Sequence, residues 1–155
     1  MTNDPGIDLE KAHRYFSAEC FNRAWDLIDL SARTPEQERT MLQLGLASLW
    51  HWSQRPDRTP TNLSVGYWQV SHIYALLGQA QEAHRYGELC LEIAQGNDLT
   101  PFYRAYACEA LARAEAAARD RPKMNAWLQQ ARDLSNKITD AKERKQLLDD
   151  LATIQ

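Results

Sequence analysis

The chain has 155 residues, with 18 basic and 21 acidic side chains and a net charge of −3. That length suits one domain that buries roughly 70% of its extended-chain surface, and the acidic balance argues against a general nucleic-acid binder, because the phosphate backbone rewards positive surface. No apolar run approaches the roughly 18 residues of a membrane span, and Met1 to Gly6 is polar and acidic rather than a basic-then-apolar leader, so a cytoplasmic protein is expected.

Alanine and leucine together number 40, valine and isoleucine only 8. Straight-chain residues and Ala keep their rotamer freedom in a helix and β-branched ones lose it, so the composition predicts an all-α fold, which the punctuation along the chain divides into about seven or eight helices. Asp8 caps a first helix to about Ala18, and a second runs from about Phe21 to Ala32. Thr34-Pro35-Glu36-Gln37 is a start signal: Thr34 caps, Pro35 forfeits no needed N–H, and Gln37 completes a capping box. That helix carries Met41, Leu42, Leu46, Leu49 and Trp50 to about Ser53. A loop follows over 54–61. Thr61 or Asn62 then caps a helix to Leu77, with Asn62 read as the N-cap residue, and Gly78 breaks it. Further helices are expected over Gln79 to Gln95, Thr100 to Ala118, Lys123 to Ile138 and Asp140 to Ala152, the last capped by Thr139. Connections this short favour antiparallel hairpins.

Cys20, Cys90 and Cys108 are odd in number and lack CxxC spacing, so buried reduced thiols are expected rather than a disulfide framework or zinc site. His13, His51, His72 and His84 form no HxxxH pair, and there is no phosphate loop or nucleophile elbow; no metal and no cofactor are expected. The late basic residues Lys137, Lys142, Arg144 and Lys145 alternate with acids and read as a solvated face.

Tyr67-x2-Val70-Ser71-x2-Tyr74 has the spacing of the first-helix pattern of a tetratricopeptide repeat. Gly78 falls at the inter-helix turn, and Ala83 and Cys90 at small positions of the second helix. A second unit, about 41 residues on, reads Cys108-x2-Leu111-Ala112-x2-Glu115, then Met124, Leu128 and Ala131. Over 62–138 the chain resembles a degenerate tetratricopeptide-like protein, with Ser71 in place of the usual glycine, Gly87 in place of an aromatic and Gln95 in place of a closing proline. His51-Trp52, Asn62, Gly66 to Ser71 and Glu109 to Ala114 are also similar to a group of short stand-alone bacterial proteins with no assigned chemistry. The resemblance implies antiparallel hairpins stacked as a short right-handed α-solenoid: N-terminal helices over 1–53, two repeat-like hairpins over 62–138 and a C-terminal capping helix over 139–155.

In such repeats the first helix of each pair lines the concave groove. Val65, Trp68, His72 and Ala75 then form one stripe, and Tyr106, Glu109, Arg113 and Ala116 the next, each in 3- and 4-residue steps. Arg113 is expected to grip a carboxylate while Trp68 and Tyr106 stack on its apolar part. The plainer reading is an i,i+4 Glu109–Arg113 pair with Trp68 as interface filler. His51 and Trp52 end the third predicted helix, where His51 either meets the helix dipole or sits at the groove rim. His72 with Glu109 is the one conceivable acid–base pair, but no residue set has catalytic spacing. The expected function is a binding module for a peptide or protein partner. A small-carboxylate receptor or enzyme using the same face, and a homodimer whose groove is filled by its twin, are the competing readings.

Overall fold

The computed structural model describes residues 6–155; the reading of the first residues as leader-free rests mainly on 1–5 and lies outside them. The described residues form seven α-helices and no strand. These are α1 (Leu9–Ile28), α2 (Pro35–Gln54), α3 (Pro60–Leu76), α4 (Ala80–Gly96), α5 (Pro101–Ala117), α6 (Arg121–Ser135) and α7 (Ala141–Leu151). None is long and apolar enough to cross a membrane. The chain divides into two units, Met1–Arg58 and Thr59–Gln155. Consecutive helices pack in pairs, α1 with α2, α3 with α4 and α5 with α6, as a stack of helical hairpins requires.

In the first unit the two expected N-terminal helices are one, α1. Glu19 and Cys20 between them are neither Gly nor Pro, so nothing stops the helix, and Asp8 caps it as expected. Small residues let the two axes approach: Ser17 and Ala24 on α1 and Gly45 and Ser48 on α2 are buried. The Ser48 hydroxyl donates to the Ser17 carbonyl at 2.7 Å.

In the second unit each hairpin opens with Thr-Pro, Thr59-Pro60 and Thr100-Pro101. Each turns through a left-handed residue, Gly78 at φ +71° and Arg119 at φ +59°. Thr59, not Asn62, is the N-cap of α3. Asn62 is the third helical residue, and its carboxamide oxygen accepts the return bond from the Thr59 N–H at 2.9 Å. Pro60 sets this register, because proline tolerates the first helical turn and no later one. Thr59→Ala should cost about 1 kcal/mol and lower the melting midpoint by about 2–4 °C, read by circular dichroism. Two further starts are corrected in the same way. Asp120 caps α6 and Asp140, not Thr139, caps α7, since a carboxylate bonds the free N–H groups and favours the positive helix end. Thr100 stands at the N-cap of α5 without a side-chain cap bond.

Helix α5 is the centre of this unit, packed against α3, α4, α6 and α7. Every residue from Ala105 to Ala112 is buried. Four neighbours fit because alanine predominates on α5. At Gly87 on α4 the fit is closest: an added Cβ would lie 2.9 Å from Leu111 Cδ2 of α5 and 3.4 Å from Ser71 Oγ of α3. A side chain at Gly87 would meet Leu111 before anything else moved.

Candidate functional site

Helices α3 and α5 pack side by side. Trp68 on α3 and Glu109 on α5, 41 residues apart, meet directly: the indole Nε1–H donates to Glu109 Oε2 at 2.7 Å. The other carboxylate oxygen accepts from Arg113 Nε. Arg113 Nη2 also donates to Thr153 Oγ1 at 2.9 Å and to the Asp150 carbonyl at 3.2 Å, near the end of α7. The Tyr106 hydroxyl donates to Asp150 Oδ2 at 2.5 Å. Five of the expected site residues therefore come together: the Trp68 and His72 rings lie tilted with centroids 5.4 Å apart, and Trp68 meets Tyr106 edge-on at 5.6 Å.

The contacts match the plainer of the two readings, an i,i+4 Glu109–Arg113 pair with Trp68 at the helix interface. Glu109 is 0% exposed, and its carboxylate accepts from Trp68 and Arg113. Burial pushes its carboxyl above the usual range, opposed by the Arg113 charge and the Trp68 N–H. Both carboxylate oxygens of Glu109 are taken up inside the protein, one by Trp68 and one by Arg113. Arg113 bonds to Glu109 through Nε and to Thr153 and the Asp150 carbonyl through Nη2.

Two hollows open beside these side chains among the described residues. The first, about 180 Å³, is lined by Val65, Trp68, Phe102, Tyr103 and Tyr106, with Ser64, Cys90 and Gln146 as its polar edge. The second, about 170 Å³, has His72, Ala75, Arg113 and Ala116 on one side and Thr153 to Gln155 on the other. The expected stripes thus share one face, with their first members in one hollow and their last in the other. Phe102 and Tyr103 escaped the sequence reading although Phe102 lies four residues before Tyr106 on the same stripe. Gln146 and Thr153 carry no sequence signal, because only the docking of α7 brings them there.

Ionisation in the first hollow is set by burial. Burial raises the Tyr106 phenol well above its ordinary range, helped by Asp150, so it stays a proton donor. Burial likewise pushes the Cys90 thiol up to about 12, and its Sγ–H donates to the Ser64 carbonyl at 3.3 Å. An uncharged thiol at neutral pH is a poor nucleophile. Cys90 and Cys108 are the expected free buried thiols, while Cys20 is half-buried.

His51 and Trp52 belong to the first unit. His51 Nδ1 lies 2.8 Å from His13 Nδ1, and its ring meets Trp50 and Phe16. The Trp52 ring carries the Arg55 guanidinium 3.9 Å above its centroid. Among the described residues no group of three or more His, Cys, Asp or Glu side chains is arranged to hold a metal ion. No family model, curated protein or solved structure matches this chain.

Proposed function

We propose that this chain is a tetratricopeptide-like binding module whose first hollow receives one apolar side chain of a peptide or protein partner. The observation that carries the reading is the lining: aromatic rings from Trp68, Phe102, Tyr103 and Tyr106, with Val65, around about 180 Å³ on the groove face of α3 and α5. Small-molecule clefts typically run to about 300–1,000 Å³. This hollow is below that range and suits a single anchoring side chain. Anchors of this kind, aromatic or branched and desolvated in a pocket, dominate the energetics of protein interfaces. The buried Glu109 contributes by fixing Trp68, so the hollow has a rigid wall before a partner arrives, which lowers the ordering cost of binding.

The second reading is a small carboxylate ligand in the other hollow. It is favoured by Arg113 Nη1, which makes none of the arginine's hydrogen bonds and is not a buried orphan. One amino group is less than the two-pronged grip that makes arginine a strong carboxylate receptor, so the peptide reading ranks first.

The test is selection of peptides from a displayed random library on the immobilised chain, with Val65→Trp as the filled-hollow control. Peptides sharing one large apolar residue are expected, and Val65→Trp should weaken them at least tenfold while leaving helicity unchanged. Binders that ignore Val65→Trp would refute the anchor site. A melting-midpoint rise with acetate or succinate and no peptide enrichment would favour the carboxylate reading instead.

A further inference from the structure

The first unit carries a feature that the groove does not use. His13 on α1 and His51 in the last turn of α2 face each other, Nδ1 to Nδ1 at 2.8 Å, with ring centroids 5.0 Å apart. A ring nitrogen accepts a hydrogen bond only when it is unprotonated, so this contact requires that at least one imidazole be neutral. The pair is half-buried against aromatic rings: Trp50 lies 5.2 Å from His13 and 4.9 Å from His51, and Phe16 lies 5.4 Å from His51.

The charged groups next to it in sequence pair with one another. On α1, Arg14 pairs with Glu10 at 2.8 Å and reaches Asp57 at 3.8 Å. Beyond α2, Arg55 pairs with Asp57 at 2.8 Å. Among the described residues no carboxylate forms an ion pair with either ring, in contrast to His84 of the second unit, which has Glu115 at 2.8 Å and Glu88 at 3.2 Å. The α2 dipole favours one positive charge at His51. A second charge, across the 2.8 Å contact, has no counter-ion among the described residues.

We propose that His13 and His51 form a one-proton latch between α1 and α2, closed while either ring is neutral and opened by the second proton. Opening separates the two imidazoles and releases the Phe16 and Trp50 rings that pack on them. Burial and the neighbouring His13 both hold His51 below its ordinary value, in the direction the latch requires. The sign follows. The folded state resists a proton that the unfolded chain accepts near pH ~6.5, so the latch's contribution is complete above that pH. It is lost as the pH falls through the window below.

The experiment is an NMR titration of the histidine ring protons in the intact chain, with thermal unfolding of the wild type and of His13→Gln at about pH 7.5 and pH 5, on either side of the ordinary histidine value. The carboxamide introduced by His13→Gln can still donate to or accept from His51 but never gains charge. The expected result is coupled titration, with the second proton bound at least about one pH unit below the ordinary value of about 6.5. The unfolding difference between the two pH values should be clearly smaller in His13→Gln, and comparing it with the wild type cancels whatever the substitution leaves unchanged. Two histidines titrating independently near the ordinary value would overturn the latch, as would a full pH dependence retained by His13→Gln. Were His13→Gln unable to fold at the higher pH, the wild-type titration would decide alone.

Discussion

Glu109→Ala should destabilise the second unit by about 3–4 kcal/mol, measured by urea unfolding. The carboxylate is sealed between α3 and α5, and it is the acceptor for both the Trp68 indole and the Arg113 guanidinium. Breaking a buried pair by removing one partner leaves the other without a counter-charge, at about 3–5 kcal/mol. The lower end applies here, because the Arg113 side chain keeps 18% of its surface exposed and retains its bonds to Thr153 and Asp150. Glu109→Gln, which can still accept from one of the two donors, should cost less than half as much. A double-mutant cycle with Arg113→Ala should give a coupling of about 2 kcal/mol or more; simple additivity would mean the pair does not act as a unit. Peptide binding should fall with Glu109→Ala too, since Trp68 loses the bond that holds the hollow's wall.

Gly87→Val should cost about 3 kcal/mol, close to the largest effect expected of overpacking. The position is a three-helix contact: a Cβ there meets Leu111 Cδ2 at 2.9 Å and Cγ at 3.1 Å. Leu111 is 0% exposed and has little room to move. Gly87→Ala should be milder, because removing a helix-interior glycine returns about 1 kcal/mol. Adding Leu111→Ala to Gly87→Val should cost less than the sum of the single changes, since the new methyls would occupy the space vacated. A strictly additive pair would show that the two side chains do not compete for one volume.

The hairpins are legible in the sequence because their signals are local. Thr34-Pro35 and Thr100-Pro101 mark helix starts through the peculiarities of proline, and Gly78 marks a turn through its left-handed backbone. Cap positions are read less well than helices, because several polar residues crowd each start. Thr59 rather than Asn62 caps α3, and a reciprocal capping box puts polar residues at both its ends. Asp140 rather than Thr139 caps α7, and the two are adjacent residues of similar capping strength. The grouping of Trp68, His72, Tyr106, Glu109 and Arg113 on one face is also readable, since 3- and 4-residue steps align side chains on any helix.

What each of those residues does is not readable in the same way. Helical phase gives a direction around one axis, not the depth at which the next helix lies. Glu109 points the same way as Trp68, and the alanine-lined approach of α5 to α3 places it at the bottom of the interface rather than at its mouth. Propensity, capping and periodicity act over a turn or two of chain, so the residues alone specify the all-helical class, most hairpin boundaries and the shared face. Three facts emerge only from the folded packing: the acid–guanidinium couple is internal scaffolding, residues of α7 and the tail after it wall the two hollows, and His13 meets His51 across 38 residues of chain. Those contacts depend on how closely helices approach, and that is set by packing volume summed over many residues.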